Sequence, residues 1–163
     1  MAFIVEDGTK VAGANSYASV AYADSYFTDR GIVTWTGSNS LKQAALILAT
    51  DYVEAFKGKF KDTSLGGTLF FPSSNVTGMG AMPSQLLNAT CEYALRALVS
   101  RTLDSDPTID ATGYPLSELE KTVGPLTTKK KFFNTSTSRV SRFPSADKYL
   151  KQLLISSNIV IRG

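Results

Sequence analysis

A mainly α fold is what this sequence predicts, on three observations. Four stretches carry apolar residues at helical spacing between capping residues and glycines. Only residues 118–133 place β-branched residues around a Gly124-Pro125 turn, as two extended arms would. The 163 residues are 43% hydrophobic, enough for one domain whose core needs neither disulfides nor a structural metal.

The elements follow in chain order. Phe3-Ile4-Val5 and Val11-Ala12 flank Asp7-Gly8, a hairpin signal between very short strands. Asn15-Ser16 offers an N-cap to a first helix running to about Arg30, with Val20, Ala23 and Tyr26/Phe27 at helical spacing and Gly31 as a left-handed C-cap. Ser40 and Gln43 are spaced as a capping box for the second helix. Its apolar face reads Leu41, Ala45, Leu48, Tyr52 and Phe56, and Gly58 ends it. Residues 59–82 form a long excursion rich in Gly and Pro, interrupted by Leu69-Phe70-Phe71. At that length it is either functional or ordered against something else. Pro83 opens a third helix over 83–103, apolar on several faces and therefore central. An acidic linker, 104–117, precedes the extended arms, and a Ser/Thr/Arg-rich stretch, 134–143, follows them. Pro144-Ser145 begins a last helix with Ala146, Tyr149/Leu150 and Leu153/Leu154 inward. In the tail, residues 156–163, Ile159-Val160-Ile161 cannot all bury on a helix and suit a strand or arm packed into a partner.

Composition narrows the chemistry. The chain has no His and one Cys, which removes the commonest general base, the commonest zinc ligand and any multi-thiolate site. Cys91 falls on an apolar stripe, where a small buried hydrophobe is expected. Asp51 and Glu54 sit on the polar face of the second helix as solvated charge. Gly78-Met79-Gly80 is too short for a phosphate-binding loop. The expectation is therefore a protein that is not an enzyme and has no cofactor, no metal and no membrane span.

Charge is divided unevenly. Residues 1–120 hold eight Lys/Arg against thirteen Asp/Glu, while residues 121–163 hold nine against the single Asp147. A net +3 thus hides an acidic body and a basic end, which fits either a segment that meets an acidic partner or nucleic acid or a solvated basic surface. Lys129-Lys130-Lys131 ahead of Phe132-Phe133 is the most nucleic-acid-like feature, because cations track phosphates and aromatics stack bases. An amphipathic strand end, with Phe inward and Lys in water, fits the same residues. Trp35, the only Trp, reads as a core or interface anchor.

Particular motifs carry a resemblance. Val5-Glu6-Asp7-Gly8-Thr9, Ala14-Asn15-Ser16-Tyr17 and Ala23-Asp24-Ser25-Tyr26-Phe27-Thr28-Asp29-Arg30-Gly31 resemble the start of a tailed-phage family. Its members are often labelled DnaT-like single-stranded-DNA-binding proteins and look like head–tail connector adaptors. The likeness continues through Trp35, residues 44–53, Leu69-Phe70-Phe71-Pro72, Pro83, residues 94–98, residues 120–126 and Phe143-Pro144-Ser145-Ala146-Asp147. Where family members tend to carry Trp-Pro-Arg, this chain has Phe71-Pro72-Ser73. Residues 156–163 lie outside the likeness.

The resemblance implies a small helical bundle with a short β excursion, about twelve copies of which form a ring beneath the portal protein in the virion neck, after assembly in the host cytoplasm. The ring would extend the channel for the double-stranded genome and dock the next neck or tail protein. Residues 1–155 would form the adaptor body, with 59–82 and 118–143 protruding. The tail, through Ile159, Val160, Ile161 and Arg162, would dock on the portal. Lys129, Lys130, Lys131, Arg139 and Arg142 would face DNA or an acidic partner, and Trp35, Phe70 and Phe71 would meet neighbouring subunits. The alternatives are a replication-type single-strand binder and a tail-completion protein of the same neck.

Overall fold

A computed structural model describes residues 2–74, 82–100, 103, 118–123, 126–131 and 143–155. It divides into two compact units, residues 1–103 with 142–163 and residues 104–141.

The first unit is helical. Its elements are α1 (Val20–Thr28), α2 (Asn39–Glu54), a 3-10 turn at Lys57–Lys59, α3 (Ser84–Ser100) and α4 (Pro144–Leu150). The central helix is α3, packed mainly against α2 and α4, with α1 completing the bundle. Its buried residues, Leu86, Ala89, Thr90, Cys91, Tyr93, Ala94 and Ala97, span more than one face, as the sequence predicts. Around Tyr93 an aromatic cluster forms: its ring lies 4.8 Å from Tyr52 and 5.9 Å from Phe143. Tyr93 is fully buried and Tyr52 and Phe143 partly so. Full burial of a ring of this size contributes about 1.5–3 kcal/mol of apolar transfer, and the contacts tie α2, α3 and the entry to α4 into one core. Thr50 and Thr90 are buried on helices and donate to carbonyls one turn back, Leu46 and Leu86. Among the described residues no buried side-chain polar atom lacks a partner.

Several boundaries differ from the sequence reading. The cap of α1 is Ser19, whose hydroxyl accepts from Tyr22 N. Asn15 instead ties the N-terminal loop, accepting from Ile4 N at 2.9 Å, and Ser16 donates to Ala18 O. Gly31 does close α1: at φ +63° it donates to Thr28 O while Ile32 donates to Phe27 O, a left-handed Schellman ending. The cap of α2 is Ser38, not Ser40, with its hydroxyl accepting from Leu41 N. The buried stripe of α2 is Ala45, Leu46, Ala49, Thr50 and Val53. Leu41 and Leu48, expected inward, are each 45% exposed. Smaller Ala side chains let α3 approach closely and leave the leucines on the shoulder of the contact.

The expected N-terminal hairpin does not form. Val5 bridges Ser16 in a parallel pairing, and the turn between them is organised by a buried carboxylate. Both oxygens of Glu6 are used: Oε1 accepts from Gly8 N and Lys10 N, and Oε2 from Val11 N, at 2.9–3.0 Å. The Asp-Gly pair thus sits in a carboxylate-stapled loop, because a buried acceptor satisfies three backbone donors at once.

The second unit contains the extended arms. Strands β1 (Glu118–Val123) and β2 (Leu126–Lys131) pair antiparallel, with Val123 opposite Leu126 across the two residues Gly124 and Pro125. Of the two arms expected over residues 118–133, the described parts, 118–123 and 126–131, pair as antiparallel strands; residues 124, 125, 132 and 133 lie outside the described residues. The fold is mainly α with a short β-hairpin; the tail, residues 156–163, lies outside the described residues.

Candidate functional site

The residues read from the sequence as candidates fall in three places. The lysine run lies on β2, where the register sets Lys131 opposite Glu118, Lys130 opposite Leu119 and Lys129 opposite Glu120. Strand alternation then divides the run. Positions 129 and 131 share a face with two glutamate positions, and position 130 shares the other with Leu119, Lys121, Val123 and Leu126. A triplet that looks like one basic patch in sequence thus occupies positions on both faces of the strand pair, with glutamate positions opposite two of them. Lys129 is exposed. Arg139, Arg142, Ile159, Val160, Ile161 and Arg162 lie outside the described residues.

Trp35 and Phe71 are core residues of the single chain. Trp35 packs on Phe27 at 5.0 Å between centroids and donates its indole N–H to Asp24 at 2.7 Å. Lys42 pairs with the same oxygen of Asp24, at 2.7 Å. Burial pushes the Asp24 carboxyl up, but the hydrogen bonds from Lys42 and Trp35 outweigh it and hold the group below its ordinary value. Phe71, 1% exposed, meets Tyr17, Phe60 and Phe70. Both rings are buried within the single chain, and Phe70 is half-buried.

The excursion, expected to protrude, is folded onto the body over residues 59–74. Phe60 bridges Leu154 and Ser64 bridges Ser73. Glu54, expected as solvated charge, is a fastener here: it accepts from the Tyr17 hydroxyl and from Phe70 N at 3.1 Å. Phe71 N in turn donates to the Tyr17 oxygen. Burial, reinforced by the Glu54 carboxylate, drives the Tyr17 phenol far above its usual range, so it stays a donor. Ser73 is buried and donates to Asp62 at 3.0 Å. Pro72 and Ser73 therefore serve the inside of this chain. Residues 75–81, with Gly78 and Gly80, lie outside the described residues.

The chemistry available to these groups is limited. Cys91 is buried, and burial with the neighbouring Glu92 pushes its thiol up to about 12, which keeps it protonated and inert. No cluster of metal-ligating side chains occurs among the described residues, and no described helix is long and apolar enough to cross a membrane. Between α2 and α3 runs an apolar groove of about 260 Å³ lined by Leu41, Ala44, Ala45, Leu48, Ala97 and Leu98.

One arrangement escaped the sequence reading. Lys61 N donates to Leu153 O at 3.0 Å and Ile155 N to Lys59 O at 2.8 Å, so the chain after α2 pairs with the chain after α4. This sets the segment carrying Lys59 and Lys61 beside the chain that follows Lys148 and Lys151, some ninety positions away in sequence. The alternation Lys59-Phe60-Lys61, with Phe60 buried, was the only local signal for it.

Comparison with curated proteins and with solved structures found no match. A family model does match, over residues 1–163, so the tail that the motif resemblance leaves out lies within the family's span. With all of its residues covered, the chain belongs to the family described as "Putative DnaT-like ssDNA binding protein".

Proposed function

We propose that this chain is a structural protein of the tailed-phage neck: a head–tail connector adaptor that assembles as a ring under the portal, extends the DNA channel and docks the next neck or tail protein. The observation that carries this reading is the division into a helical unit with its own core and a second unit whose described secondary structure is one two-stranded hairpin. A lone two-stranded hairpin is marginal in water and gains stability when another chain extends or covers it. A small body bearing such an arm suits a subunit that is completed by its neighbours. Function on this reading is assembly without turnover. The helical core holds shape, the hairpin engages an adjacent subunit, and residues 156–163 engage the portal.

The test is co-expression with the portal protein of the same phage, followed by affinity capture and negative-stain imaging. A ring on the portal is expected, and removal of residues 156–163 abolishes capture. A chain that stays monomeric and is not retained by the portal overturns the proposal. Undiminished capture without the tail overturns the tail's role alone.

The family's description favours a second reading, a single-strand binder. It requires measurable affinity for oligonucleotides that falls linearly with salt on a log–log plot. No binding at low salt removes it.

A further inference from the structure

We infer that Lys57, Lys59, Lys61, Lys148 and Lys151 form a binding surface for the phosphate backbone of nucleic acid, on the helical unit and distinct from the hairpin lysines. All five are exposed. They account for five of the nine Lys/Arg among the described residues of that unit. The backbone pairing of residues 59–61 with 153–155 joins the two groups. Side-chain contacts continue it: Lys61 Nζ donates to Gln152 O at 3.0 Å, and Gln152 Nε2 donates to Lys148 O at 3.2 Å. Because Phe60 points into the core, the flanking Lys59 and Lys61 both point outward, about two strand residues (~6.6 Å) apart.

Two features favour nucleic acid over a merely solvated face. The acids nearest these lysines in sequence are turned to internal donors. Glu54 accepts from Tyr17 and Phe70 N, Asp62 from Ser73, and Asp147 from Tyr93. The ion pair of Lys42 with Asp24 lies elsewhere. Half-buried rings also stand beside the cations: Lys59 Nζ is 5.7 Å from the Phe56 centroid and Lys148 Nζ 4.7 Å from that of Tyr149. Cations that track a backbone, next to aromatic rings whose faces can stack on bases, make the surface that single strands use. Duplex DNA offers the same phosphates without exposed base faces, so the two sources are separable.

This assignment rests on the nucleic-acid reading of the family, and the experiment separates their failures. The full chain is titrated with a fluorescent single-stranded oligothymidylate, with a duplex of equal length and with poly-glutamate, from low to moderate salt. Wild type is expected to bind the single strand tightest. Replacing the five lysines with Gln lowers affinity at least tenfold at low salt and reduces the salt slope by about 0.7 for each phosphate no longer neutralised. Replacing them with Arg retains binding, which separates charge from folding. The variant K129Q/K130Q/K131Q keeps most of the affinity. If wild type binds no oligonucleotide, the single-strand reading and this surface both fall. If wild type binds and the five-lysine Gln variant binds equally well, or only the hairpin variant loses binding, this surface alone is refuted. Loss of binding in the Arg variant also refutes it. Tighter binding of duplex than of single strand overturns the stacking role. Equal affinity for poly-glutamate overturns nucleic acid in favour of an acidic protein partner.

Discussion

Glu6 shows how much one side chain can organise. It is 2% exposed and accepts from three backbone donors, so a whole turn depends on it. Glu6→Ala leaves those donors unpaired and is expected to cost about 2–4 kcal/mol, read as a lowered urea midpoint. Lys10 in the same turn holds φ at +64°, a conformation that favours glycine. Lys10→Gly should be neutral or stabilising in that assay, unlike most glycine substitutions. The tyrosines set the alkaline limit. Burial first, then the carboxylates of Glu54 and Asp147, raise the Tyr17 and Tyr93 phenols above their ordinary value. Above pH 10 the unfolded chain loses these protons while the folded chain keeps them, so stability falls as pH rises. The slope is about 1.4 kcal/mol per pH unit for each tyrosine. Denaturant midpoints at pH 9, 10 and 11 should show this fall, and Tyr93→Phe should flatten it.

At the scale of elements, the sequence was legible where chemistry is local. Helix existence, the Gly31 ending, Pro144 at the start of α4 and the antiparallel pairing of 118–123 with 126–131 follow from residues that act on their own neighbours. Caps were less legible, because Ser38 and Ser40 are chemically equal and tertiary packing chooses between them. Ser38→Ala should cost about 1 kcal/mol in thermal or urea unfolding, and Ser40→Ala much less. Equal losses would contradict the observed cap. The α2 stripe shows the same limit. Periodicity identifies an apolar side, but small residues on the adjacent stripe allowed the closer approach and turned Leu41 and Leu48 to the shoulder.

Over the whole molecule, the helical unit has its own core, and the hairpin belongs to a different unit. Replacing residues 104–141 with a flexible Gly/Ser linker should preserve helical circular dichroism and a cooperative melt. On the connector reading it also abolishes ring formation on the portal, because the arm that meets the neighbour is gone. Loss of the cooperative melt would show that the body depends on the second unit.

The sequence by itself determined the mainly α class, the hairpin, the family and the scarcity of reactive groups, because these depend on residue types and short spacings. Tertiary structure alone decided where the charges gather. The −5 and +8 of the linear chain read as an acidic body and a basic end. The fold instead sets positions 129 and 131 on one strand face and position 130 on the other, and pairs the chain carrying Lys59 and Lys61 with the chain that follows Lys148 and Lys151. Pairing across some ninety residues has no local signal, since it is fixed by which apolar side chains, here Phe60 and Leu154, must share one core.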